Sequence, residues 1–187
     1  MKTTIEKPKT RRGRAVPRRT NGPSRISTSA LEKVPSLQIR SILVPIDFSE
    51  PCRKALTYAV RLAEHFGAKL TLLHVVEPVA MPDFVKSFPL AMENEKVVAA
   101  CKTKLDELAR EQSIDPRFVP TTLVRDGRSF DEITAAARTL KVDLIIISTH
   151  GYTGLKHAIL GSTTERVVRY APCPVLVVRE HEHEFVT

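Results

Sequence analysis

One stretch constrains the fold of this chain more than any other. It runs Val142-Asp143-Leu144-Ile145-Ile146-Ile147-Ser148, continues as Thr149-His150-Gly151-Tyr152-Thr153-Gly154 to Leu160, and ends Gly161-Ser162-Thr163-Thr164-Glu165. The apolar run, with three isoleucines in a row, suits a strand covered on both faces, as in a parallel sheet. A loop with three glycines follows. Ser162 as N-cap, with Glu165 three residues on, predicts a capping box and a helix start. Strand, glycine loop and helix N-terminus together make a place for phosphate: glycines let backbone N–H groups come close, and the helix end carries unpaired donors and partial positive charge. The chain contains no Gly-Lys-[Ser/Thr] and no G-x-G-x-x-G, which leaves out a P-loop and a dinucleotide fingerprint.

The rest of the chain alternates in kind. Ile42 to Asp47 predicts a first strand with Pro45, which cannot donate to a ladder, near its end. Ser49 is placed to cap the next helix, with Pro51 in its first turn. Cys52, Ala55, Leu56, Ala59, Leu62, Ala63 and Phe66 form one apolar helical face, and Gly67 ends it. Leu70 to Val76 predicts a second strand. Glu77 to Glu95 holds three prolines and reads as an irregular loop. Val97, Cys101, Leu105, Leu108 and Ala109 mark a second helix. Thr121 to Val124 predicts a third strand, starting near Val119, and Asp126-Gly127 a turn. Ser129 with Glu132 predicts a second capping box, before a helix faced by Phe130, Ile133, Ala136, Ala137 and Leu140. Ala171-Pro172-Cys173-Pro174 stops the fourth helix, and Val175 to Val178 is a fifth strand. The order β-α-β-α-β-α-β-α-β predicts an α/β doubly wound parallel sheet with helices on both faces. In that class a ligand lies beyond the carboxyl ends of the strands, where strand order reverses. With strands one and four as neighbours, Asp47 and the glycine loop share a crevice. There a carboxylate can meet ribose hydroxyls or a base amino group, and amides can meet phosphates.

Charge is distributed unevenly. Residues 1–38 hold ten Lys/Arg and two acids and so carry the whole net charge of +8; the remainder holds 19 of the 29 bases and 19 of the 21 acids. That basic, Arg/Pro/Ser-rich segment has too few large apolar residues to offset its ordering entropy and is expected to be a disordered N-terminal extension. Its chemistry points to weak contact with nucleic acid or an anionic surface. Residues 39–180 are expected to form the α/β domain and 181–187 a polar tail. Cys52, Cys101 and Cys173 are odd in number and lack C-x-x-C spacing, as free thiols of a reducing compartment do. No run approaches a membrane span and no secretory pattern opens the chain, so a cytoplasmic location is expected. His181-Glu182-His183-Glu184 has no fixed scaffold, and no metal site is assigned.

Four blocks in this order resemble the universal stress protein family: Ile42-Leu43-Val44-Pro45-Ile46-Asp47-Phe48-Ser49; Leu72-Leu73-His74-Val75; Ser148-Thr149-His150-Gly151-Tyr152-Thr153-Gly154 running to Leu160-Gly161-Ser162; and Ala171 to Val178. The resemblance implies strand order 3-2-1-4-5, a homodimer paired through the last strand (Pro174 to Val178) and, in an ATP-binding branch, ATP with Mg²⁺ in the crevice. That branch carries G-x2-G-x9-G-[S/T]. Gly161 and Ser162 match the final pair, Gly151 the second glycine, and Ser148 stands where the first belongs. The resemblance further implies a site bordered by Pro45, Ile46, Asp47, Val75 and Gly127, with Ile147, Ser148, Thr149, His150, Gly151, Gly154, Gly161, Ser162 and Thr163 around the phosphates. No general base, Walker lysine or metal cluster is in view, so the implied role is a regulatory nucleotide-binding protein of the stress response with little or no turnover. The alternative is a dimeric interaction module of the same family without nucleotide. An adenylate-transferring or hydrolytic enzyme is a third class, but Asp47-Phe48-Ser49-Glu50-Pro51 offers it no glycine-rich pyrophosphate loop.

Overall fold

The computed structural model describes residues 36–78, 91–112, 120–149 and 160–180. The elements all fall in the compact unit Leu37–Thr187. In chain order they are β1 (Ser41–Pro45), α1 (Glu50–Phe66), β2 (Lys69–Val76), α2 (Ala91–Glu111), β3 (Thr121–Asp126), α3 (Ser129–Leu140), β4 (Leu144–Ser148), α4 (Ser162–Tyr170) and β5 (Val175–Val178). The five strands form one sheet, ordered β3-β2-β1-β4-β5, and every pairing is parallel. Chain order reverses between β1 and β4, so the switch point of this doubly wound sheet lies there.

Each face of the sheet has its own core. Ile42, Val44, Leu70 and Leu72 point to the side covered by α1 and α2, against Ala55, Leu56, Ala59 and Leu105. Leu43, Leu73, Ile145 and Ile147 point to the other side, against Ile133, Ala136, Ala137 and Val167. Alternate residues of one strand therefore serve opposite cores, which is why the strands read as continuous apolar runs. α1 starts as its sequence dictates: the Ser49 hydroxyl accepts from the Cys52 N–H, and Pro51 sits in the first turn. Gly67 ends it in the left-handed conformation (φ 63°), donating to the Ala63 and Glu64 carbonyls.

Several expectations need correction. α2 begins at Ala91, inside the segment expected to be a loop up to Glu95; residues 79–90 lie outside the described residues. The early turns were hidden because the apolar spacing starts late. Val97 is 46% exposed, and burial sets in only at Leu105, Leu108 and Ala109. β3 runs on to Asp126 by pairing Arg125 and Asp126 with Val75 and Val76; Val119 lies outside the described residues. Leu140, assigned to the buried face of α3, is exposed. The Ser129–Glu132 capping box does not form: the cap residue of α3 is Arg128, with no side-chain bond to the helix. Glu132 instead pairs with Arg125 at 3.2 Å, and the Ser129 amide is taken by Glu77.

Gly67 has nothing within 4 Å of where a Cβ would stand, so a side chain there meets only backbone strain. Gly67→Ala is expected to lower stability by about 1 kcal/mol, the cost of a left-handed non-glycine residue, measured as a shift of the urea midpoint with unchanged slope.

Candidate functional site

A cleft of about 300 Å³ opens over the carboxyl ends of β1, β2 and β4. It contains nine of the residues singled out from the sequence: Pro45, Ile46, Asp47, Val75, Ile147, Ser148, Gly161, Ser162 and Thr163. Gly127 does not line it; its N–H donates to the Val76 carbonyl at 3.1 Å, and Glu77 and Ser129 form the lining on that side. Thr149 is buried behind the cleft. His150, Gly151 and Gly154 lie outside the described residues.

The geometry of this end of the cleft rests on how α4 is aimed. The Thr149 N–H donates to the Val178 carbonyl, and the Thr149 carbonyl accepts from the Gly161 N–H at 2.8 Å. Thr164, buried, donates its hydroxyl to the Ser148 carbonyl at 2.9 Å. Two bonds thus lock the end of β4 to the first turn of α4. They also move the cap. Ser162 was expected to cap the helix, but the cap residue is Gly161, without a side-chain bond, and Ser162 is the first helical residue. Glu165 bonds Arg169 at 2.9 Å rather than reaching back. The first helical bond runs from the Glu165 N–H to the Gly161 carbonyl. The amides of Ser162, Thr163 and Thr164 therefore have no intrahelical acceptor, and all three residues line the cleft.

Ser148 is the last residue of β4 and pairs with Val178. Among the described residues, positive φ in a non-glycine occurs only at Phe48 and Lys141. The Ser148 position therefore demands no glycine conformation.

At the other end, Asp47 follows β1 by two residues. Its Oδ1 accepts from the Ser49 N–H (3.0 Å) and from the Ser49 hydroxyl (2.6 Å). Ser49 in turn caps α1, so the carboxylate and the cap act in relay rather than in competition. Below it the Cys52 thiol donates to the Pro45 carbonyl. Burial, reinforced by the Asp47 charge, pushes that thiol up to about 12. His74 Nδ1 lies 2.7 Å from the Ile46 carbonyl. A carbonyl only accepts, so Nδ1 carries the proton and the ring is a tie between β1 and β2.

Sequence reasoning missed Leu73, His74, Glu77, Ser129, Ile133 and Thr164 as lining residues. A positional signal existed for two of them, since Glu77 follows the second strand directly and Ser129 opens the third helix, both on the carboxyl side of the sheet. Glu77 Oε1 accepts from the Ser129 N–H at 2.8 Å. The Ser129 hydroxyl and amide hold the Glu77 carboxyl below its ordinary range, with help from Arg128.

A larger concavity, about 550 Å³, lies on the outer side of α3 and α4. Its three arginines are engaged: Arg169 with Glu165, Arg166 over the Phe130 ring at 4.4 Å, Arg138 toward the Tyr170 carbonyl. The smaller cleft is the better candidate, because strand ends, a carboxylate and open helix amides converge on it. Among the described residues no group of three or more potential metal ligands comes together, and no helix is long and apolar enough to cross a membrane.

The comparisons with known proteins agree with this architecture. The universal stress protein family model matches residues 38–179. A universal stress protein of Methanocaldococcus jannaschii is 33% identical over 149 residues, 78% of this chain and 85% of its own length. The structure of universal stress protein UspA from Lactobacillus plantarum superposes with a TM-score of 0.69 at 28% identity, covering 77% of this chain and all of that one. An Arabidopsis thaliana protein of the family, solved with AMP bound, shares the fold at a TM-score of 0.52 and 17% identity, over 76% of this chain and 92% of its own.

Glu77 links the site to pH. A carboxyl whose folded pKa is depressed contributes stability above its unfolded value, and loses it as pH falls through the folded one. Glu77→Gln is therefore expected to lower the melting temperature at pH 7. The gap to wild type should close as pH falls below about 4, read by thermal scans in a pH series.

Proposed function

Because the chain belongs to the universal stress protein family, we propose that it is a stress-response protein that binds ATP in the β1/β4 cleft, with Mg²⁺ accompanying the phosphates and little or no turnover. The observation that carries this reading is that Asp47 and the first turn of α4, whose amides have no acceptor within the helix, line one cleft. Phosphates suit the α4 end, where N–H groups and the helix dipole favour negative charge. The nucleoside suits the opposite end, between Pro45, Ile46 and Val75, with Asp47 at hand for hydroxyl or amino donors. A cleft of about 300 Å³ lies at the lower end of the ~300–1,000 Å³ range of small-molecule sites. AMP in the Arabidopsis structure is in keeping with an adenine nucleotide here, the likeness being one of fold.

The chain is further proposed to form a homodimer through β5. That strand pairs with β4 on one side only and ends the sheet, so its other edge is a ready partner for a second copy. The basic residues 1–38 are proposed to add weak contact with nucleic acid or an anionic surface, screened by salt.

Ser148 at the cleft supports a second reading, an interaction module of the family that holds no nucleotide. Isothermal titration of the full chain with ATP and Mg²⁺ separates the two. Saturable heat is expected, and Asp47→Asn should weaken binding about tenfold, the worth of one hydrogen bond to a charged group. Absence of heat at millimolar ATP with the protein folded would sink the first reading. Because Ser148 holds no left-handed backbone, Ser148→Gly is expected to change affinity little; ATP binding gained only in that variant supports the second.

A further inference from the structure

Phe48 stands between Asp47 and Ser49 with φ 64°, a left-handed backbone that an aromatic residue adopts only where its surroundings fix it. The comparison inside the molecule is Lys141, at φ 50°, whose conformation closes the C-terminus of α3 by donating to the Ala137 and Arg138 carbonyls. Phe48 closes no helix: it lies in the connection from β1 to α1. Its conformation has another beneficiary. The turn brings the Ser49 N–H and hydroxyl back onto Asp47, and both bonds fall on one oxygen, Oδ1.

Three contacts hold the turn. The Lys104 Nζ of α2 sits 4.3 Å above the Phe48 ring. The His74 ring of β2 lies 4.7 Å from it, tilted by 45°. His74 is itself tied to the Ile46 carbonyl at 2.7 Å, one residue before Asp47. The ring also packs against the core between the sheet and α1/α2.

We propose that Phe48 is a positioning residue. Clamped between Lys104 and His74, it fixes Asp47 with Oδ1 on Ser49 and Oδ2 turned to the ribose hydroxyls of a nucleotide in the cleft. This rests on the nucleotide reading above and deepens it, since it names the ribose as the group selected and α2 as the element that supports the selection. A carboxylate whose rotation is stopped by two bonds on one oxygen offers the other at a fixed place. A hydroxyl donor at that place is then favoured over a ligand that lacks it.

The test uses the full chain as wild type, Phe48→Gly and Lys104→Met. Glycine adopts the left-handed turn without strain but removes the ring, and Lys104 is exposed, so both variants are expected to fold. Dissociation constants are measured for ATP, 2′-deoxy-ATP and inorganic triphosphate, and exchange of the Ser49 amide with solvent is followed by NMR without ligand. Wild type is expected to prefer ATP to its deoxy form by about tenfold, one charge-assisted hydrogen bond. Phe48→Gly should bring that ratio near parity, with Lys104→Met between. Triphosphate affinity should stay unchanged, which a general loss of structure would not leave intact. Ser49 exchange should quicken in Phe48→Gly. Unchanged Ser49 exchange, or a retained preference for ATP, overturns the inference. A wild-type chain that binds no nucleotide, while Ser49 exchange responds to Phe48→Gly, overturns the nucleotide reading and upholds the clamp.

Discussion

The structure depends first on β1 and β4 lying side by side. The two strands are about a hundred residues apart in sequence, and their junction is tied at its amino end by one carboxylate. Asp143 Oδ2 accepts from the Arg40 and Ser41 amides at 2.8 and 3.0 Å, while the Asp143 N–H donates to the Ser41 carbonyl at 2.8 Å. From there the ladder sets Ile42 opposite Leu144 and Leu43 opposite Ile145. Because the strands are parallel, the register fixed at one end decides what meets at the other. It brings the turn after Pro45 and the turn after Ser148 to the same edge of the sheet. Neither turn alone makes a cleft, and only the crossover puts a carboxylate across from helix amides.

Among the helices that begin at that edge, α3 and α4 are treated differently. The N-terminus of α3 is filled from within, by Glu77 on the Ser129 amide. Among the described residues the N-terminus of α4 has no such plug: Gly161 caps it without a side chain, and Glu165 turns away to Arg169. One helix dipole thus meets an anion of the protein itself, and the other meets none among the described residues. The contrast gives the cleft a direction, with negative charge at the Asp47 and Glu77 side and donors at the α4 side.

The alternation of strands and helices was legible in the apolar runs and turn residues, whereas the strand order, and with it the meeting of Asp47 with Gly161, Ser162 and Thr163, followed from the resemblance to the family. Side-chain capping was less legible. Both Ser-x-x-Glu patterns failed as capping boxes, at Ser129 and at Ser162, because other partners took the groups first: the distant Glu77 at one, and at the other Thr149 on the Gly161 amide and, one helical turn on, Arg169 on Glu165. A local pattern states what a segment can do alone and not what a distant carboxylate does to it. The start of α2 was missed for a different reason, since exposed turns leave no periodic trace. The Phe48 turn was not foreseeable either: nothing local calls for positive φ in an aromatic residue, and Lys104 and His74 that hold it come from other elements.

The sulfur beneath Asp47 has its own consequence. Oxidants attack the thiolate, and a group held near 12 by burial and a neighbouring carboxylate is almost wholly protonated at neutral pH. At neutral pH Cys52 is therefore a weak nucleophile toward peroxide, which leaves its hydrogen bond to the Pro45 carbonyl, next to the Asp47 turn, in place.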